Sequence, residues 1–119
     1  MAGRKITGGK YKKARKKKLF ERTSKSRIVK LGEEKKKFLR TKGGNFKLVS
    51  LSSNIANIIV KGKAKKAKIK NVIETPANRF LARQNILIKG AIIDTEVGRA
   101  IITNRPSQEG QVQAVLLEK

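Results

Sequence analysis

The sequence predicts a mainly β fold: a small antiparallel β-barrel of six or seven strands, with one short helix and an extended basic N-terminal arm. Two observations carry that prediction. Short apolar runs rich in β-branched residues recur from residue 36 to residue 117, each too short for a helix and each set off by Gly, Asn or Ser. The charge is crowded into the other part of the chain. Residues 1–30 hold 13 basic residues and one acidic, net +12; residues 31–70 hold 12 and two, net +10; residues 71–119 hold six and five, net +1. One domain is the default for 119 residues. The pattern divides it into an arm, residues 1–30, and a barrel domain, residues 31–119. Closure into a barrel also removes exposed strand edges.

The apolar centre is residues 86–106, ILIKGAIIDTEVGRAIITNRP. Three runs (86–88, 91–93 and 100–102) are separated by Gly90 and by Glu96-Val97-Gly98, which predicts a bend at Gly90 and a tight hairpin closed at Gly98. Side chains alternate along a strand, so Ile92 and Asp94 point one way and Ile93 and Thr95 the other.

The rest follows in chain order. Residues 1–30 have no sustained apolar period. A helix over 11–22 fails because Lys18 lands on the face begun by Tyr11 and Ala14. Such a segment cannot bury enough apolar area to offset its ordering entropy, and is expected to be extended and disordered until bound. Tyr11 and Leu19-Phe20 are its local anchors. Residues 36–42 and 45–51 flank Gly43-Gly44 and read as a hairpin with a primed turn, Phe38 and Arg40 sharing one face. Ser52-Ser53-Asn54 is a turn and residues 55–60 a strand. Residues 61–70, KGKAKKAKIK, read as a basic loop with Gly62 at its tip, leading into a strand near residues 67–74. Thr75 is the expected N-cap with Pro76 at the first helical position, and the helix runs to about Arg83. Arg79 and Arg83 share a face of it, and Asn85 ends the turn. Residues 107–110 form a loop. Residues 111–117 form a last strand, with Val112, Ala114 and Leu116 alternating in facing.

Composition excludes most chemistry. The chain has no Cys and no His, hence no thiol nucleophile, disulfide, imidazole base or usual zinc ligand. Lack of Cys fits a reducing compartment. Neither Gly8-Gly9 nor Gly43-Gly44 continues into the Gly-Lys-Ser/Thr and helix of a phosphate-binding loop. Asp94 and Glu96 lie in a hairpin where Arg99 is the natural cross-strand partner. Serines have no base to activate them. The chain therefore reads as a protein that is not an enzyme, with no cofactor, no metal and no small-molecule substrate. No apolar run approaches the roughly 18 residues of a membrane span. The N-terminus lacks the apolar stretch of a signal peptide. The tail lacks the amphipathic moment of a membrane-surface helix.

What remains is the net charge of +23, which calls for a polyanion. A charge run is ordinarily a solvated tail or a nuclear-localisation address. Here the run KYKKARKKK is joined by a second basic region, and nucleic acid is the partner that fits. Paired aromatics on an open sheet, a Gly-x-x-Gly clamp and a stacking groove are not evident in the sequence, so phosphate and shape recognition should dominate over base reading. The candidate contacts in the arm are Arg4, Lys5, Lys10, Lys12, Lys13, Arg15, Lys16, Lys17, Lys18, Arg22 and Arg27. In the barrel domain they are Arg40, Lys42, Lys61, Lys63, Lys65, Lys66, Lys68, Arg79, Arg83, Lys89 and Arg105. A DNA-binding architectural or chromatin protein is the competing reading. It needs an apolar wedge or a groove-reading helix, and neither is visible.

Four segments are distinctive in combination. They are RKITGGK at residues 4–10, followed by the basic run and Glu21; RTKGGN at 40–45; NVIETPAN at 71–78; and RQNI at 83–86 with KGAII at 89–93 and TNRPSQEG at 103–110. In this order they resemble the archaeal and eukaryotic-type eighth protein of the small ribosomal subunit, a family unrelated to the bacterial protein of the same number. The length is similar to the archaeal form. Ser107 departs from the family pattern, where Gly is common. The resemblance implies a β-barrel body with a basic arm in ribosomal RNA, small-subunit ribosomal RNA and neighbouring ribosomal proteins as partners, and a place in the cytoplasmic ribosome.

Overall fold

The computed structural model describes residues 3–11 and 15–117. Five strands, β4 (Ile55–Val60), β5 (Lys63–Glu74), β6 (Ile92–Thr95), β7 (Arg99–Ile102) and β8 (Gln113–Leu116), close into a barrel in that order. Three more, β1 (Lys30–Leu31), β2 (Lys35–Arg40) and β3 (Phe46–Ser53), form a separate sheet in the order β1-β3-β2. Among the described residues one α-helix, α1 (Arg79–Arg83), links β5 to the residues before β6.

The barrel thus has five strands rather than six or seven, because the β2–β3 hairpin pairs with β1 instead of entering the wall. Nor is it wholly antiparallel. Strands around a closed ring can alternate in direction only if their number is even. With five, one neighbouring pair must run parallel, and β4 and β8 are that pair, in register Ile58↔Ala114.

So narrow a barrel needs small residues inside it. The core contains Ala56, Ala67, Ala91, Ala100 and Ala114 beside Ile58, Ile69, Ile93 and Ile102. Large faces small across the wall: Ile58 and Ile102 both lie against Ala114, and Ile93 against Ala100. Alternation of large and small residues is how the interior of a small barrel is filled. Val29, Val72, Leu87 and Val112 complete the core. None of the described residues before Val29 is buried. The radius of gyration is 20.7 Å, against about 13–14 Å for a compact domain of this length.

Several local expectations shift. The β6–β7 hairpin closes at Gly98 with Ile93 and Thr95 sharing a face, as the pattern predicts, and the structure makes that face the inward one. In the 86–88 run Ile86 and Leu87 are buried and Ile88 half-buried, but the run carries no strand. Ile86 makes a single bridge to Lys30, and Leu87 N–H donates to the Val29 carbonyl at 2.8 Å. The turn at Gly43-Gly44 is a five-residue loop rather than a two-residue primed turn; Thr41 N–H reaches the Asn45 carbonyl at 2.6 Å across it. Residues 61–70 are no loop. Lys61 and Gly62 alone make the turn, at φ 46° and 79°, the positive pair of a type I′ hairpin, and Lys63 onward is strand β5. The helix cap is Asn78 rather than Thr75: its Oδ1 accepts from Phe80 N–H at 3.0 Å. Thr75 is buried one turn earlier and donates to the Asn78 carbonyl at 2.6 Å.

The two sheets are tied together by the 103–110 loop. Ser50 N–H is shared between the carbonyls of Pro106 and Glu109, at 3.1 and 3.2 Å. Asn104 braces the loop itself, donating to Glu109 Oε2 and the Gln111 carbonyl while accepting from Gln113 N–H.

Candidate nucleic-acid interface

Most of the candidate cations fall into three groups. In the first, Arg4 and Lys10 bridge the ends of a small loop, with Lys5 N–H on the Gly9 carbonyl and Gly8 N–H on the Lys5 carbonyl, at 2.9 and 2.8 Å. Gly8 has φ 78°, a value that disfavours any side chain. Arg4 Nη1 donates to the Gly8 carbonyl, and Lys5 Nζ lies 5.7 Å from the Tyr11 ring centre. Lys12 and Lys13 lie outside the described residues. Arg15 grips Glu21 with both Nη atoms. The Arg15 guanidinium, with the Lys18 backbone N–H, holds the Glu21 carboxyl below its ordinary value. Arg22 Nε donates to the Lys17 carbonyl, and Lys18 lies over the Phe20 ring. Lys16 and Lys17 are exposed. Arg15 is thus already partnered by the chain, and so is Arg27, whose Nε donates to the Ser107 carbonyl at 3.3 Å.

The second group is on the β4–β5 ribbon. Lys63 and Lys65 have the parity of inward Ala67, and Lys66 and Lys68 the opposite one. All four are exposed, because β6 pairs only with residues 69–74 of β5 and leaves the far half of the strand open on that side. The lysines therefore decorate both faces of a projecting ribbon, with Lys61 in its turn, rather than one flat patch. Arg40 and Lys42 are exposed at the tip of the β2–β3 hairpin. Lys89 and Arg105 are exposed on turns. On the hairpin the structure adds what sequence reasoning missed: Phe38 and Phe46 share a face with Arg40 and are 72% and 68% exposed. The two rings lie diagonally on that open face, Phe38 opposite Leu48 and Phe46 opposite Arg40, an arrangement set by the cross-strand register.

The third group is Arg79 and Arg83 on α1, which the structure brings together with Asn71, Phe80 and Asn85 around a cleft of about 600 Å³. The strand wall is irregular here. The β5–β6 register slips between Ile69 and Asn71 and again between Val72 and Glu74. Val72 N–H, freed from the ladder, is shared by the side-chain oxygens of Asn71 and Asn85, at 2.8 and 3.3 Å. Asn85 holds φ 52°.

Fold and surface together define a small, strongly cationic β-barrel protein. Its sequence places it further: the chain belongs to the ribosomal protein S8e family, whose model matches residues 1–117. It is similar to a protein of Methanoregula boonei described as small ribosomal subunit protein eS8, with 46% identity over 116 residues, 96% of this chain and 93% of that relative.

Proposed function

We propose that this chain is a structural constituent of the small ribosomal subunit, working in the cytoplasmic ribosome and binding ribosomal RNA through phosphate and shape contacts. Family membership carries the reading. The division of charge from core supports it. Residues 1–70 hold +22 of the net charge, and the buried apolar core begins at Val29. Residues 1–30 are the basic RNA-binding arm and 31–119 the barrel domain that anchors it against RNA and neighbouring ribosomal proteins.

Ordering a backbone costs on the order of 1–2 kcal/mol per residue, hence tens of kcal/mol for about 20 arm residues. Exposed charge pairs on one face of one duplex, each worth about a kcal/mol or less, do not offset that. The arm therefore threads a junction between RNA helices, with Arg4, Lys10, Arg15 and Arg22 meeting different strands, and becomes fully ordered only in folded ribosomal RNA. The native protein should stay with the small subunit through a high-salt gradient; release into the free fraction, or equal retention on duplex DNA, would overturn the reading. Protease protection of residues 1–30 on the subunit but not on a simple RNA duplex is expected, and equal protection on both refutes threading.

A further inference from the structure

Phosphate recognition does not account for the cleft between α1 and β5. A site for phosphate alone needs cations and backbone N–H groups. This one adds a ring and two amides, and its polar side chains are rich in donors. Asn71 and Asn85 both commit their side-chain oxygens to Val72 N–H, which leaves their NH₂ groups to donate. Arg79 and Arg83 can only donate. Phe80 is 60% exposed at the rim with the Arg79 guanidinium 5.7 Å from its ring centre, so a planar group has ring surface to stack on. The cleft volume of about 600 Å³ falls in the range of sites that hold small planar ligands. Two local irregularities build it: the double slip of β5 against β6, and the left-handed backbone of Asn85. Bulges and non-glycine residues at positive φ concentrate at functional sites.

We propose that this cleft seats one unpaired guanine of the ribosomal RNA, stacked on Phe80, with its acceptor edge read by the amide NH₂ and guanidinium donors. This rests on the RNA-binding reading above and adds base recognition to it. Guanine is the base that fits because its O6 and N7 are adjacent acceptors, the pair that Arg reads bidentately. Adenine presents an N6 donor at the same edge, where it would face the guanidinium donors of Arg79 and Arg83. Unstacked bases of RNA are held in this way, on aromatic rings and guanidinium planes.

Two measurements on the full chain test it. The first is affinity for protein-free small-subunit ribosomal RNA across a salt series. Phe80→Ala should weaken binding about 5- to 100-fold, the loss typical of one stacked base, while the salt slope stays as in wild type. Phe80→Trp should restore it and Phe80→Leu should not. The second is NMR titration of the wild-type protein with guanosine 5′-monophosphate, adenosine 5′-monophosphate and ribose 5-phosphate. The guanine nucleotide should shift the side-chain NH₂ signals of Asn71 and Asn85 and the Phe80 ring, and the other two probes should leave those NH₂ signals in place. Equal shifts with ribose 5-phosphate reduce the cleft to a phosphate clamp and overturn the proposal, as does Phe80→Ala binding like wild type. If wild type itself does not bind the RNA, the broader reading falls; if it binds and Phe80→Ala matches it, only the cleft assignment falls.

Discussion

Isoleucine has two opposite fates in this molecule. Ile93 in the barrel is 0% exposed, and Ile6 near the N-terminus is 108% exposed. The same contrast separates Ile58 and Ile102 from Leu19 and Phe20. Intrinsic hydrophobicity is the same in both regions, so what differs is the company. Ile58, Ile93 and Ile102 alternate with more exposed residues along their strands, and each meets an alanine on a neighbouring strand. The N-terminal apolar residues are isolated among lysines and have no periodic partners. Their local order comes from polar closures instead, Arg15 on Glu21 and Lys5 on Gly9. Apolar content alone does not build a core; spacing does.

If that comparison holds, the two regions should respond to different insults. The largest expected effect is on RNA affinity. Deleting residues 1–24 should flatten the log affinity against log salt slope by roughly 4 to 5, taking about six phosphate contacts for the arm. The barrel's thermal unfolding should be unchanged. A fall in melting temperature on deletion, or an unchanged slope, would break the division.

The next effect lies in the core. Ile93→Ala should cost about 2–5 kcal/mol in denaturant unfolding, because it opens a cavity beside Ala100 that the closed wall cannot collapse to fill. Ile6→Ala should stay within about 0.5 kcal/mol. Comparable losses at both sites would show that residues near the N-terminus contribute to the core.

A smaller effect tests the seam between the two sheets. A Cβ on Gly110 would lie 2.5 Å from Leu48 Cδ2 and 2.7 Å from its Cγ. Gly110→Ala should therefore destabilise by about 1–3 kcal/mol through overpacking. Adding Leu48→Ala should recover part of that loss, a coupling that two independent substitutions would not show.

Changing Lys63, Lys65, Lys66 and Lys68 to Gln should weaken RNA binding about equally across unrelated sequences, since phosphates carry no sequence code. Loss toward one sequence only would mean that the ribbon reads bases. The smallest effect is local and pH-dependent. Glu21 has its pKa lowered by Arg15 and the Lys18 N–H. The closure it supplies is present above the ordinary carboxylate pKa and is lost as pH falls through the depressed value. NMR signals of Arg15 Nη and Lys18 N–H should report that loss on acidification, and Glu21→Gln should abolish the pH dependence.

Much of this was legible in the residues. The short β-branched runs, the Gly98 hairpin, the strand at Ile55–Val60 and the inward set Val112 and Ala114 follow from a period of two, a local property that the chain carries before folding. So does the partition of charge, since it is a matter of composition by position. The cationic candidates Arg79 and Arg83 were legible as a pair on one helix face, but their cleft was not, because its other wall comes from Asn71 and Asn85, one beyond each end of the 75–83 segment.

The sequence by itself determined the strand at residues 55–60, the hairpin closed at Gly98, where the charge lies, and through the ordered segments beginning RKITGGK which family the chain resembles. Only the tertiary structure decided that five strands rather than six or seven close the barrel, that β4 and β8 run parallel, that the run after Lys61 is strand, and that Phe38 lies opposite Leu48 and Phe46 opposite Arg40. The physical reason is range. Periodicity and turn chemistry act over a few residues, whereas register, closure and cleft depend on pairs such as Ile58 with Ala114, whose contact exists only once the ring is shut.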